Sequence, residues 1–330
     1  MSKQQITIDL TPWPVGDPPS AADNCIGYLH KYGTATIRIY DGKIDGSGCG
    51  PPPPAIVWDS KACVGGSAKE WWSGNKRHRD GDEPAIVTET GQKEWWDRGL
   101  RHRGGDKPAV VCISKKEAGK REEWWFKGFP HRDNGEPSLV CSGVYGRARK
   151  WHFRGRPYRP DGGPTEETND GTLLWHDLEG KLHRVGGPAV IKADGTKEWW
   201  LDGKRSNPDG PAIERPDGSK EWYLDGKKNR EGDLPAVEGA KGRKEWWVND
   251  QLHRDNDLPA IVDPELHVEQ WWNRGVRHRD DYKPAIVIHA HDGFKTKCES
   301  WEHGKPVEVV SVPARFVDPD KLAEVFGKGQ

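Results

Sequence analysis

Apolar positions along this chain come in short bursts separated by charged and glycine-rich stretches. The clearest burst sets two aromatic residues after a charged doublet, as in Lys197-Glu198-Trp199-Trp200. The same phrase returns at Lys69-Glu70-Trp71-Trp72, Lys93-Glu94-Trp95-Trp96, Glu122-Glu123-Trp124-Trp125 and Lys244-Glu245-Trp246-Trp247. A second burst, Pro-Ala followed by Ile-Val or a close variant, comes after each. Runs this short, bounded by Gly and Pro, predict β-strands and leave no room for helices. Within one unit, Pro211-Ala212-Ile213-Glu214 predicts a strand and Pro216-Asp217-Gly218-Ser219 a turn. Lys220-Glu221-Trp222-Tyr223-Leu224 predicts the return strand, and Asp225-Gly226-Lys227 a second tight turn, because Asp-Gly is a strong hairpin signal. The pattern predicts two strands and a short third segment per unit.

The phrase is a repeat. Its first Trp falls at Trp71, Trp95, Trp124, Trp151, Trp175, Trp199, Trp222, Trp246, Trp271 and Trp301. The matching prolines are Pro84, Pro108, Pro137, Pro164, Pro188, Pro211, Pro235, Pro259, Pro284 and Pro313, 12 or 13 residues further on. Length varies only between Pro-Ala and the next Trp, where insertions such as Lys115–Lys120 sit. A degenerate unit at Ile39–Lys43 and Pro54–Val57 brings the count to about eleven units of about 24 residues, with atypical ends as expected of caps. The expected fold is all-β, an elongated antiparallel β-hairpin array. Residues 1–36 form a turn-rich lead-in and cap, with strand signals over Ile26–Tyr40; residues 37–315 form the array. Residues 316–330 form a capping helix and tail, with Leu322, Val325 and Phe326 on one helical face.

Composition changes the picture of the core. Hydrophobic residues make up 33% of the chain, below the roughly 45–50% of ordinary globular domains, yet there are 18 Trp. A thin core of aromatic rings is expected. The formal net charge is -1 although 31% of residues are charged, which argues against nucleic acid or an anionic membrane as the main partner. The cysteines Cys25, Cys49, Cys63, Cys112, Cys141 and Cys298 are scattered, with no metal-ligand spacing, and are read as reduced. No apolar run long enough for a membrane span or a signal peptide is present, so a soluble, cytoplasmic setting is expected.

Candidate chemistry concentrates in four columns. Neighbouring strand residues point to opposite faces, so the two aromatic positions divide. The ten first-position tryptophans named above are assigned to the structural core. The second position drifts toward polar residues (His152, His176, Glu302), so Trp72, Trp96, Trp125, Trp200, Tyr223, Trp247 and Trp272 form a candidate exposed aromatic face for a protein partner or for sugar rings. Both columns could also be purely structural. The histidines His78, His102, His131, His183, His253 and His278 alternate with Tyr158, Ser206 and Asn229, which keep hydrogen bonding but lose metal affinity. A hydrogen bond to a neighbouring turn is expected there, and no metal. The arginines that follow (Arg79, Arg103, Arg132, Arg184, Arg254, Arg279) stand beside acids such as Asp80, Asp133, Asp255 and Asp280, which reads as a solvated ion-pair edge rather than a phosphate-tracking row. The Lys-Glu doublets read as solvated strand surface. Gly46-Ser47-Gly48-Cys49-Gly50 precedes prolines rather than a helix and reads as a loop. His289-Ala290-His291-Asp292 coincides with a hairpin turn. No catalytic motif occurs, and no cofactor is expected.

Trp200-Leu201-Asp202-Gly203-Lys204-Arg205 and Gly180-Lys181-Leu182-His183-Arg184-Val185-Gly186-Gly187-Pro188 resemble MORN repeats, hairpin units with an aromatic-x-Gly-Lys-x-His theme. They resemble more closely a MORN-related repeat of phage and large-virus proteins that reads Trp-Tyr-x-x-Gly-Lys-x-His-Arg-x-x-Gly-Pro-Ala. The resemblance spans roughly residues 37–315; Arg79, Arg103 and Arg132 stand where MORN units have Gly. It implies a twisted β-hairpin array that mediates contacts without catalysis, in a phage or viral setting. The expected function is a non-catalytic scaffold for protein–protein interaction; the alternative is a carbohydrate-binding array using the second aromatic column.

Overall fold

The computed structural model describes residues 3–10, 33–40, 43–44, 54–58, 68–114, 118–281, 283–289 and 296–312. The expected C-terminal helix, the Gly46–Gly50 loop, Pro313, His291 and the cysteines Cys25, Cys49 and Cys63 lie outside these residues. Every described regular element is a β-strand and every pairing is antiparallel, in open sheets built from hairpin repeats. The chain divides into two units, Met1–Leu173 with Leu178–Gly180, and Leu174–Asp177 with Lys181–Gln330.

In the first unit Lys3–Leu10 pairs along its length with Gly33–Tyr40, which pairs in turn with Ile56–Trp58. The Gly33–Tyr40 strand lies within the expected stretch. The Lys3–Leu10 strand does not; the alternation of Ile6, Ile8 and Leu10 is its sequence signal. The ladder continues through Ala68–Glu70, Ile86–Thr88, Lys93–Glu94, Val110–Ser114, Gly119–Glu123, Leu139–Gly143, Arg149–Lys150 and Glu166–Glu167. The second unit runs from Val190–Ile191 and Lys197–Glu198 through Ile213–Glu214, Lys220–Glu221, Val237–Glu238, Lys244–Glu245, Ile261–Asp263, Val268–Gln270 and Ile286–Ile288 to the long pair Thr296–Glu302 and Lys305–Val312.

Each full repeat holds four short strands rather than two and a third segment. The Pro-Ala-Ile and Lys-Glu strands belong to the ladder. The residues around the second aromatic form a separate two-residue hairpin, such as Trp200–Leu201 with Lys204–Arg205. The first Trp is the hinge. Trp199 donates its backbone N–H to Ala212 (2.8 Å), and its carbonyl accepts from Ser206 (3.1 Å), so the chain leaves the ladder there and returns to the same residue. The hairpin turns place both central residues at positive φ, as at Asp202 (51°) and Gly203 (77°), the geometry that matches strand twist. Successive hairpins are tied by one backbone bond each, such as Gly128 N–H to the Arg101 carbonyl at 2.9 Å.

Two rows of side chains follow from this register. On one face, Glu198, Ile213, Glu221, Val237, Glu245, Ile261, Gln270 and Ile286 lie directly opposite one another across successive strands. Aliphatic residues therefore alternate with Glu or Gln. The residues one position along, Lys197, Glu214, Lys220, Glu238 and Lys244, put opposite charges face to face on the other side of the sheet, a favourable cross-strand pairing. Beneath the hinge, the alanine of each Pro-Ala is fully buried, from Ala55 to Ala285. Its carbonyl accepts the N–H of the Trp in the same repeat, and Ser138 and Thr165 are the only larger residues at that position among the described repeats. No described helix is long and apolar enough to cross a membrane.

Candidate functional site

The first aromatic column builds the joint between repeats. Trp71, Trp95, Trp124, Trp151, Trp175, Trp246 and Trp271 are buried, while Trp199 and Trp222 are half-buried. The indole N–H of each of five of these reaches back to a carbonyl in the preceding loop: Trp95 to Asp82, Trp124 to Asp106, Trp151 to Gly135, Trp246 to Asp233 and Trp271 to Asp257, at 2.9–3.2 Å. Over the ring lies an arginine. The guanidinium carbons of Arg79, Arg103, Arg132, Arg159, Arg184, Arg230, Arg254 and Arg279 stand 3.6–4.1 Å from the ring centroids, close enough for a cation–π interaction.

These arginines correct the expectation of a solvated ion-pair edge. Arg103, Arg132, Arg254 and Arg279 fork onto the carboxylates of Asp82, Asp106, Asp233 and Asp257 in the preceding repeat, Nε at 2.7–2.8 Å. Each also donates from Nη1 to its own repeat's proline carbonyl at 3.2–3.4 Å. One aspartate thus holds the Trp through its carbonyl and the Arg through its carboxylate. The hydrogen bond from Arg132 holds the Asp106 carboxyl below its ordinary range, and Arg254 does the same for Asp233. For Asp82 the bonds from Arg103 and Lys107 drive it strongly down.

The acids next to those arginines serve the histidines instead. Asp80, Asp133, Asp255 and Asp280 face Nε2 of His78, His131, His253 and His278 at 2.8–3.2 Å. On the other side of the ring, Nδ1 of His78, His131, His183 and His253 accepts a backbone N–H from the next repeat's turn at 3.1–3.4 Å. This is the turn contact that the sequence suggests. Among the described residues no group of three or more His, Cys, Asp or Glu is placed to hold a metal ion.

The second aromatic column is half-buried at Trp72, Trp96, Trp125, Trp200, Tyr223, Trp247 and Trp272. Each donates its ring N–H or O–H two residues back: to Glu70, Glu94, Glu123, Glu198, Glu221, Glu245 and Gln270, at 2.8–3.2 Å. The expectation that the Lys-Glu doublets are solvated is therefore half wrong. Lys69, Lys93 and Lys197 are exposed, but Glu70, Glu94, Glu123, Glu198 and Glu221 are buried. Positions two apart share a strand face, so an indole at the second position covers the carboxylate and satisfies it. Arg77 and Arg101 complete the site with ion pairs to Glu70 and Glu94, both at 3.0 Å. Burial raises the Glu198 carboxyl, but the Lys192 hydrogen bond and the Arg205 charge outweigh it, and the net shift is down. The Tyr223 hydroxyl is pushed well above its ordinary value by burial and by its bond to Glu221.

Cations also fill the space between rings of this column. Arg77 lies 5.1 Å from the Trp72 centroid and 5.3 Å from Trp96, Arg101 lies between Trp96 and Trp125, and Arg205 lies between Trp200 and Tyr223. The column is a Trp–Arg ladder in which each of these arginines is shared by two neighbouring rings. Trp301 belongs to it, not to the first column. Its N–H meets Glu299 two residues back (3.2 Å), Arg277 lies 4.4 Å from its ring, and it pairs with Pro306 as Trp200 pairs with Arg205. Ser300 holds the first position.

The outer face of the hairpins in the first unit is different. There Phe126 and Phe153 follow the second position, held by Trp125 and His152, and with Leu100, Phe129 and Tyr158 they are exposed, Phe129 to 58%. Their rings join histidines in one edge-to-face series, His102, Phe126, His131, Phe153, Tyr158, with centroids 4.8–5.9 Å apart. Glycine makes the close approach possible: a Cβ on Gly155 would stand 3.0 Å from the Phe129 ring. Sequence reasoning missed this patch because it weighed the doublet and not the residue after it, which reads Ser73, Asp97, Phe126, Phe153, Asp177, Leu201, Leu224, Val248 and Asn273 along the chain.

The described cysteines Cys112, Cys141 and Cys298 are free, and burial pushes all three thiols up. Compared with protein-family models and with curated proteins, the chain matches none.

Proposed function

We propose that this chain is a non-catalytic, MORN-like repeat scaffold that binds another protein, in the phage or viral setting that the resemblance implies. The observation that carries the reading is the division of labour among side chains. The Trp–Arg–Asp joints and the Trp–Glu–Arg ladder use their polar groups on one another, while Leu100, Phe126, Phe129, Phe153 and Tyr158 form an apolar patch on three consecutive hairpins. Contiguous exposed apolar surface of this kind marks contact sites. Against the carbohydrate alternative stands the geometry of the second column. A sugar needs an open ring face, and guanidinium groups already cover Trp72, Trp96 and Trp200.

Replacing Phe129 by p-benzoylphenylalanine and irradiating the chain in its native host extract tests the reading. A discrete protein adduct at residue 129, missing when the same group replaces exposed Leu224 of the second unit, is expected. No adduct at 129, or equal adducts at both positions, would sink it.

A further inference from the structure

The apolar patch is ringed by positive charge. The three hairpins concerned span Trp96–Arg101, Trp125–Pro130 and His152–Pro157, from the second aromatic to the end of the return strand. Their turns carry Arg98, Lys127 and Arg154, with Arg156 beside the last, and all four side chains are exposed. None makes an ion pair with a described residue. Lys127 and Arg154 instead lie over the Phe126 and Phe153 rings at 5.4 and 5.3 Å. The one carboxylate on the three hairpins, Asp97, faces His78 at 3.2 Å. In the second unit the same turn positions are Asp202, Asp225 and the Asn249-Asp250 pair, followed by Arg274 and His303 in the last two hairpins. Three consecutive hairpin turns of the first unit thus carry cations, whereas three of the second unit carry acids.

We infer that the hairpin face of the first unit, across Leu100, Phe126, Phe129 and Phe153, takes an acidic protein segment bearing apolar side chains; this rests on the scaffold reading above. Carboxylates of the segment meet Arg98, Lys127, Arg154 and Arg156, and its apolar groups cover the exposed rings. Charge complementarity of this kind sets partner choice and encounter rate. The pitch adds a second constraint. Each repeat contributes two ladder strands, so hairpins recur about every 9.4–9.8 Å. A polyproline II segment returns to the same face every three residues, about 9.3 Å. An extended acidic segment of that form places one apolar residue on each hairpin in succession. A single-stranded nucleic acid fits less well. It stacks bases on open ring faces, whereas these rings pack edge to face and carry cations on them.

The test uses the full chain and a labelled peptide of four Phe-Glu-Pro repeats, followed by fluorescence polarisation. Saturable binding is expected, at least roughly tenfold weaker at about 500 mM salt than at about 50 mM, since exposed charges are screened over that range. Lys127→Glu with Arg154→Glu is expected to lower affinity at least roughly tenfold, because it reverses the sign of the contact, and Phe129→Ser is expected to weaken binding as well. Asp225→Lys in the second unit is expected to leave affinity unchanged. The variants alter exposed side chains, and an unchanged thermal transition confirms that each has folded. A Phe-Lys-Pro peptide is expected not to bind. Failure of the acidic peptide to bind, binding that ignores the charge reversals, or an oligo-dT strand that binds tighter and loses affinity in the same variants would overturn the inference. The crosslink at residue 129 separates the two proposals. An adduct that survives Lys127→Glu with Arg154→Glu leaves the scaffold standing and removes the acidic partner; no adduct in the parent chain removes the scaffold itself.

Discussion

At the scale of single residues, the two tryptophans of the doublet hold different things together. The first joins one repeat to the loop of the repeat before it, and loses its packing and its hydrogen bond together when truncated. Trp95→Ala removes a buried ring, the Arg103 stacking partner and the donor to Asp82, and is expected to cost about 3–5 kcal/mol, as for other buried aromatic truncations. Trp96→Ala is expected to cost clearly less, since its ring is half-buried. Urea unfolding followed by circular dichroism reads both, and equal losses would show that the columns do not differ. The split between columns is legible from strand alternation. The carboxylate beneath the second ring is legible too, through a comparison among repeats: Glu or Gln stands two residues before each Trp or Tyr of the column, whereas Lys150 precedes His152 and Leu174 precedes His176. A ring that donates demands an acceptor on its own face. Trp301 is misassigned if tryptophans alone are aligned. The turn His303-Gly304, aligned with Asp202-Gly203, gives the right register, because both pairs sit at positive φ.

At the scale of the element, the hairpin turn is the part that its residues describe best and also the part with a local conflict. Asp-Gly suits a turn with two positive φ angles, and Asp202-Gly203 and Asp225-Gly226 follow that rule. Arg98, Lys127, Arg154 and Arg274 occupy the first turn position at φ 46–49° without a side chain that favours it. A left-handed conformation costs ordinary residues roughly 1–2 kcal/mol, less for Asn. Arg154→Asn is therefore expected to stabilise the chain by up to about 1 kcal/mol, seen as a higher thermal midpoint, while weakening acidic-peptide binding if the first three cations are held there for a partner. A lower midpoint would mean that the Arg154–Phe153 contact outweighs the backbone term. The four-strand repeat itself was only partly legible. The sequence pattern shows where the chain turns but not that the first Trp, bonded through N–H to one strand and through its carbonyl to the returning chain, divides a continuous apolar run into two sheets.

At the scale of the whole molecule, each repeat is stabilised mainly by its neighbours, as in other repeat arrays, and the polar part of that coupling depends on carboxylates in both units. Asp82 and Asp106 in the first, and Glu198, Glu221, Asp233 and Asp257 in the second, are all held below their ordinary values. A folded-state pKa below the unfolded one gives stability that is complete above the unfolded value, about 4 for these acids, and that is lost as pH falls through the folded value. Acid should therefore unfold the chain below about pH 4, with no comparable loss between pH 5 and 8. The four aspartates are too exposed for a large share each, since water and salt screen them. Glu198 is the better probe, with its side chain 5% exposed between Lys192 and Arg205. Glu198→Gln keeps an acceptor for Trp200, as Gln270 does for Trp272, but removes the charge. Both cations retain access to water, so the cost at pH 7 is expected near 1–2 kcal/mol rather than the 3–5 of a fully enclosed pair. That difference should shrink as pH falls below about 4.3, the ordinary glutamate value, because the unfolded parent then takes up a proton that the folded one accepts only at lower pH. Urea midpoints of both proteins measured from pH 7 to pH 3 decide the matter: a gap that stays constant over the range would mean that the Glu198 charge contributes nothing and that shape alone accounts for the loss.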